Sequence, residues 1–186
     1  MNWTLIALIA LPILFLIAIY NSLVGKKNQV LNAFASIDTL LKKRYDLIPN
    51  LVEAVKNYMQ HERGTLTQIT ELRSQALSPK LSDSQKIDLN NKISKVLSGI
   101  LVAVENYPNL KANENFLQLQ AALNEVEEQI SAARRAYNAA VTDYNNAIQM
   151  FPTNMVASLM AYKDKPFFET AETERQNVNV GELFKK

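Results

Sequence analysis

The sequence predicts an all-α protein, with an N-terminal transmembrane helix followed by an up-and-down antiparallel bundle of about four helices. Three observations predict it. Residues 1–20 hold a charge-free apolar run. Beyond it, apolar side chains recur at helical spacing along most of the chain. Glycine is scarce, at 4 of 186 residues, while Ala, Leu, Glu, Gln and Lys are abundant, a composition that favours helix over sheet.

The first element is the anchor, expected over residues 1–20. Trp3 to Tyr20 as a helix rises about 27 Å, close to the hydrocarbon thickness of a bilayer. Trp3 and Tyr20 stand at its two ends, where amphipathic rings favour the headgroup level. Pro12 lies mid-segment, which a membrane helix tolerates. A cleaved signal peptide would carry Lys or Arg before the apolar run and a small-x-small cleavage site after it. Residues 1–4 have neither basic residue, and Ala18-Ile19-Tyr20 ends on a bulky side chain. Lys26 and Lys27 follow the span directly. The positive-inside rule then puts the N-terminus outside and the bundle in the cytoplasm.

The bundle is expected over 21–165. Its first stripe reads Val30, Ile37, Leu51 and Tyr58 at heptad spacing, with Phe34, Leu41, Ile48 and Val55 as companions. This helix can continue from the anchor, with Gly25 as its weak point and a bend at Pro49. A second helix carries Leu66, Ile69, Leu72 and Ala76. Ser78-Pro79-Lys80-Leu81-Ser82 reads as a loop, and Ser82 with Gln85 forms a capping box for the next helix. That helix carries Leu89, Ile93, Val96, Leu97, Ile100, Leu101 and Val104, and stops near Tyr107-Pro108-Asn109.

The strongest pattern follows. Phe116, Leu123, Ile130, Tyr137, Tyr144 and Phe151 lie seven apart, and Leu119, Val126, Ala133, Ala140 and Ala147 form the companion series. Such an a/d seam implies a helix packed at a shallow angle on a neighbour. Asn113 is placed to cap its start and Pro152 to end it. A short helix is expected around 156–162. Residues 166–186 read as a mostly irregular C-terminal tail, with Phe167 and Phe168 docked on the bundle.

Composition excludes several chemistries. Cysteine is absent, so there is no disulfide, thiolate zinc site or cysteine nucleophile. A net charge of +2 with both signs interspersed offers no field for nucleic acid. No phosphate-binding loop, nucleophile elbow or zinc motif occurs. His61 is the single histidine and has no ligand partner at metal spacing, so it reads as a surface residue. Glu125, Glu127 and Glu128 point in different directions around a helix and read as a solvated face. Arg134 and Arg135 read as a solvated pair beside the seam. No catalytic residue, cofactor or metal ligand is assigned, and the protein is expected not to be an enzyme.

Six residues stand out on other grounds. Arg44 occupies a stripe position otherwise filled by Val30, Ile37 and Leu51, where an unpaired charge is costly. It pairs with Glu127 or Glu128 on the long helix, or with Glu105; the other reading is an anion or lipid-headgroup site beside the membrane. Glu127 is carried forward as the partner. Tyr137 and Tyr144 are seam residues whose hydroxyls need partners. Asn138 and Asn145 each follow a tyrosine beside the seam. They either hydrogen-bond between helices and set the register or stand exposed.

With these residues in view, the chain resembles the LemA family of bacterial membrane proteins. The carrying blocks are Arg44-Tyr45-Asp46-Leu47-Ile48-Pro49-Asn50-Leu51-Val52, Tyr107-Pro108-Asn109-Leu110-Lys111-Ala112 and Phe116-Leu117-Gln118-Leu119. Glu127 and Ile130 follow, then Arg135-Ala136-Tyr137-Asn138, Val141, Tyr144-Asn145 and Phe151-Pro152. The resemblance reaches to about residue 168. It implies a single pass through the bacterial inner membrane, a small external N-terminus and a cytoplasmic helical bundle. Relatives look like membrane-organelle or envelope-associated factors, and no activity is implied. The expected function is a non-enzymatic, membrane-tethered interaction or scaffold module for an unidentified membrane or envelope protein. The alternative is a self-assembling, membrane-organising protein in which the seam is shared between copies.

Overall fold

The computed structural model describes residues 3–168, and every regular element among them is a helix. The remainder of the expected C-terminal tail, from residue 169, lies outside the described residues. The first helix, α1, runs unbroken over Trp3–Val55. Its 53 residues amount to about 80 Å of helix. Apolar anchor and bundle core are therefore segments of one rod, with no break at Gly25. The anchor's large side chains, Trp3, Leu8, Leu11 and Phe15 among them, face outward.

After α1 the chain turns through a single 3-10 turn, Gln60–Glu62, into α2, Arg63–Ala76. The Ser82–Gln85 capping box forms as expected and starts α3, Asp83–Val104. A one-turn α4, Pro108–Lys111, leads to α5, Glu114–Gln149. The Asn113 side chain accepts from the Phe116 backbone N–H at 3.1 Å, capping α5 as its sequence position suggests. A short α6, Thr153–Leu159, follows.

α1 and α5 pack antiparallel over most of their shared length. Arg44 meets Glu127, the Phe34 and Tyr137 rings lie 5.6 Å apart, and Leu23 clusters with Ala147. Ile37, Leu41, Ile48 and Leu51 face Phe116, Leu123 and Ile130 in one apolar core. The α2–α3 hairpin closes the half of this pair far from the anchor.

Pro49 interrupts the α1 ladder without ending the helix. Lacking an N–H, it leaves the Tyr45 carbonyl without its usual i+4 donor. Arg73 of α2 supplies one instead, through Nε at 2.7 Å.

Two stripe expectations, Phe151 and Tyr58, need correction. Phe151 is 79% exposed, because α5 stops at Gln149 and the seam ends at Ala147. Ala140 is packed against the core as expected, half-buried beside a fully buried Val141. Tyr58 is exposed, since α1 has already ended; Met59 fills the core at that point.

Candidate functional site: a buried arginine and an asparagine ladder

Two polar arrangements lie within the bundle. The first surrounds Arg44, which is 1% exposed. Its Nη1 donates to Glu127 Oε2 at 2.5 Å and to Ser94 Oγ at 2.9 Å. Its Nη2 donates to the Asn90 side-chain oxygen and, at 3.3 Å, to the Asn90 carbonyl. Asn90 is fully buried. Arg44 thus joins α1, α3 and α5 at one level. Its fork of donors suits this better than a lysine ammonium would.

Glu127 itself stays 41% exposed. A cleft lined by Ser94, Ser98, Leu101, Leu123 and Asn124 opens beside it. Arg134 also approaches Glu127, at 3.8 Å, and its guanidinium lies 5.3 Å from the Phe168 ring. That side chain is largely covered, unlike the solvated residue expected; Arg135 is exposed and donates to Ser131. Glu105 pairs with Lys111 instead of Arg44. Arg44 lies about 36 Å along α1 from Tyr20. Next to it, burial raises the Tyr45 pKa, an effect the Arg44 charge partly opposes.

The second arrangement grips a piece of extended chain. After α6, residues 163–168 run as a strap along the half of α5 nearer the anchor. Asn138 donates to the Phe168 carbonyl at 2.9 Å and accepts from the Phe168 N–H at 2.8 Å. Asn145 does the same to Lys165, at 3.0 and 2.9 Å. The two tyrosines complete the pattern. Tyr137 donates to the Pro166 carbonyl at 2.9 Å and Tyr144 to the Lys163 carbonyl at 3.2 Å.

The spacing has a simple cause. Seven helical residues rise about 10.5 Å, and three extended residues span about 10 Å. A Tyr-Asn pair repeated every seven residues on α5 therefore meets every third residue of an extended strap. Phe168 anchors the end of the strap, 2% exposed, edge-on to Tyr137 at 5.9 Å. Burial is the main cause of the raised Tyr137 and Tyr144 pKa values, that of Tyr137 being pushed up to about 12.

So the structure places Arg44 beside Glu127, and it places Tyr137, Asn138, Tyr144 and Asn145 together on the strap. Three participants went unread in the sequence. Asn90 falls within the apolar stripe of Ile87, Ile93 and Leu97, the same kind of polar interruption that marks Arg44. Ser94 is its neighbour one turn on. Arg73 answers a carbonyl that Pro49 makes predictable. Among the described residues, no group of three His, Cys, Asp or Glu side chains is gathered to hold a metal. His61 is exposed in the 3-10 turn.

A model of the LemA family matches residues 33–181. The chain belongs to the LemA family. The match takes in the Arg44 cluster, both Tyr-Asn pairs and the strap, and so joins the two arrangements in one family unit. The Protein LemA of Metamycoplasma hominis is 29% identical over 163 residues, covering 88% of this LemA-family chain and 74% of that protein. The Magnetosome protein MamQ 2 of Paramagnetospirillum magneticum is 21% identical over 192 residues, with 90% and 71% covered. The Magnetosome protein MamQ of Magnetospirillum gryphiswaldense is 19% identical over 193 residues, with 87% and 71% covered. The family resemblance carried by the sequence blocks is thereby shown.

Proposed function

We propose that this LemA-family protein is a non-enzymatic, membrane-tethered post that presents its helical bundle to another membrane or envelope protein. The observation that carries the reading is the continuity of α1 from exposed apolar residues into the bundle core. A flexible linker would let the domain wander. A helix shared with the core holds it at a set distance and tilt, which lowers the ordering cost of meeting a partner in the same membrane. The anchor is a single pass over residues 1–20, with the N-terminus outside and the 21–165 bundle on the cytoplasmic side, supported by Lys26 and Lys27.

The polar groups of the interior also fit such a role. The Arg44–Glu127 pair acts as a structural lock between helices, and the Tyr137–Asn138 and Tyr144–Asn145 pairs set the register of the strap on α5. What remains for recognition is the outer surface of the helices. Because the α5 seam is filled by α1 of the same chain, association between copies would have to use that surface too.

Photocrosslinkers placed singly at exposed bundle positions in native membranes test the proposal. It predicts adducts to a discrete second protein from positions on one face. Adducts only between copies would establish the self-assembling alternative, and an absence of adducts from every face would reject both.

A further inference from the structure

Where α5 ends, the chain places large apolar side chains in succession: Met150, Phe151, Met155 and Leu159. All four point outward, Phe151 at 79% and Leu159 at 88% exposure. In α6 the pattern is two-sided. Ala157 packs inward with Ile19, Leu23 and Ala147, while Met155 and Leu159, four residues apart, share the outer face. A contiguous exposed apolar surface of this kind marks a binding surface.

Its position says what covers it. The α1–α5 pairing runs from Arg44–Glu127 through Phe34–Tyr137 to Leu23–Ala147. Continued in the same register, it sets Met150 and Phe151 opposite the stretch around Ile19 and Tyr20. That is the end of the charge-free run of α1. Basic side chains rim the same level. Lys26 and Lys27 leave the span there, Lys27 Nζ lies 4.8 Å above the Tyr162 ring, and Lys163 is exposed. Asp164 is also at this end, accepting from Gln149. Val102, another exposed apolar residue, stands instead at the opposite end of the bundle, near the C-terminus of α3.

We propose that the α5–α6 elbow dips into the boundary between lipid headgroups and acyl chains, giving the protein a second membrane contact beside its anchor. The proposal rests on the membrane-anchor reading of α1. Apolar side chains flanked by lysines are what an interfacial segment needs to bind an anionic lipid surface. The consequence is orientation. A single helix leaves the bundle free to rotate about the anchor axis. A second, off-axis contact chooses which face of the bundle looks along the membrane and which looks away.

The absence of native cysteine makes the test clean. Nitroxide labels are placed one at a time in the full chain as Phe151→Cys, Leu159→Cys, Leu14→Cys and Val102→Cys. All four side chains are exposed, so labelling leaves the core packing alone. In nanodiscs of phosphatidylethanolamine and phosphatidylglycerol, collision with oxygen and with a water-soluble nickel chelate is measured. Positions 151 and 159 are expected to show an oxygen-to-nickel accessibility ratio several-fold above that at 102, on the side of position 14. If 151 and 159 behave like 102 while 14 remains oxygen-rich, the second contact is overturned and the anchor stands. If 14 is itself nickel-accessible, the anchor reading fails and the second contact falls with it.

Discussion

The two halves of the α1–α5 pair are closed in opposite ways. Far from the anchor, the α2–α3 hairpin covers the pair, and the buried polar groups there are a charged arginine and the Asn90 amide that it binds. Near the anchor, an extended strap and the short α6 cover it, and half-buried amides and buried phenols bind the strap's backbone. The difference follows from what each cover brings. A helix satisfies its own backbone, so the hairpin asks only for packing and tolerates one well-paired charge. An extended strap brings unpaired N–H and C=O groups that need partners once buried. Asparagine carries a donor and an acceptor on one group, which lets a single side chain meet both at one strap residue.

The largest expected effect is in the far half. Arg44→Ala leaves the buried Asn90 amide without its partner, while Glu127, 41% exposed, keeps water and Arg134; the loss should be about 2–3 kcal/mol, read from chemical denaturation. A double-mutant cycle sharpens this. Arg44 with Glu127 should couple by about 1 kcal/mol or more, while Arg44 with Glu128 or Glu105 should be additive. Additivity with Glu127 as well would remove the lock.

The near half is next. Asn138→Ala and Asn145→Ala each delete two hydrogen bonds to the strap and should cost about 1–2 kcal/mol apiece. Their signature is local: amide exchange at Lys165 and Phe168 accelerates while that of the Arg44 region does not. Uniform acceleration along the chain would mean that the halves unfold as one unit.

High pH should separate them too. The folded-state pKa of Tyr137 is raised to about 12 from its ordinary 10.0 by burial. The stability that this neutral phenol contributes is therefore complete below about pH 10 and is lost as pH rises toward 12. Tyr144 is shifted in the same direction. Strap amides should lose protection in that window, measured by hydrogen exchange across a pH series.

The smallest effect is a gain. Ala161, which follows α6, has φ 52, a left-handed conformation that favours glycine. The Tyr162 N–H reaches back to the Ala157 carbonyl at 3.0 Å in the same turn. Ala161→Gly should stabilise the protein by up to about 1 kcal/mol, seen as a raised Tm. A lowered Tm would show that the entropy glycine adds to the unfolded chain outweighs the strain relieved at that turn.

The same contrast governs how much could be read in advance. The far half was legible because helices announce themselves by period: the stripes of α1 and α5, the Ser82–Gln85 box and the Asn113 cap all appear where spacing puts them. Arg44 was visible as a charge on an apolar stripe, and Glu127 was chosen as its acid among three in reach, Glu127, Glu128 and Glu105. Asn90 could have been found by the same reasoning applied to α3. The near half was less legible because an extended strap has no periodicity. Its one trace was the repetition of Tyr-Asn seven residues apart, which marks a polar row beside the seam without saying what it binds. Phe151 was misplaced because a heptad count continues past Gln149, whereas the backbone does not.

Both halves depend on α1 being one rod from the apolar run to the core. Spin labels at Phe15→Cys and Lys43→Cys, both exposed, measure this directly in nanodiscs by double electron–electron resonance. A continuous helix predicts one narrow distance population, with α-carbons about 42 Å apart. A broad distribution, or a markedly shorter distance, would place a hinge near Gly25 and contradict the rigid post.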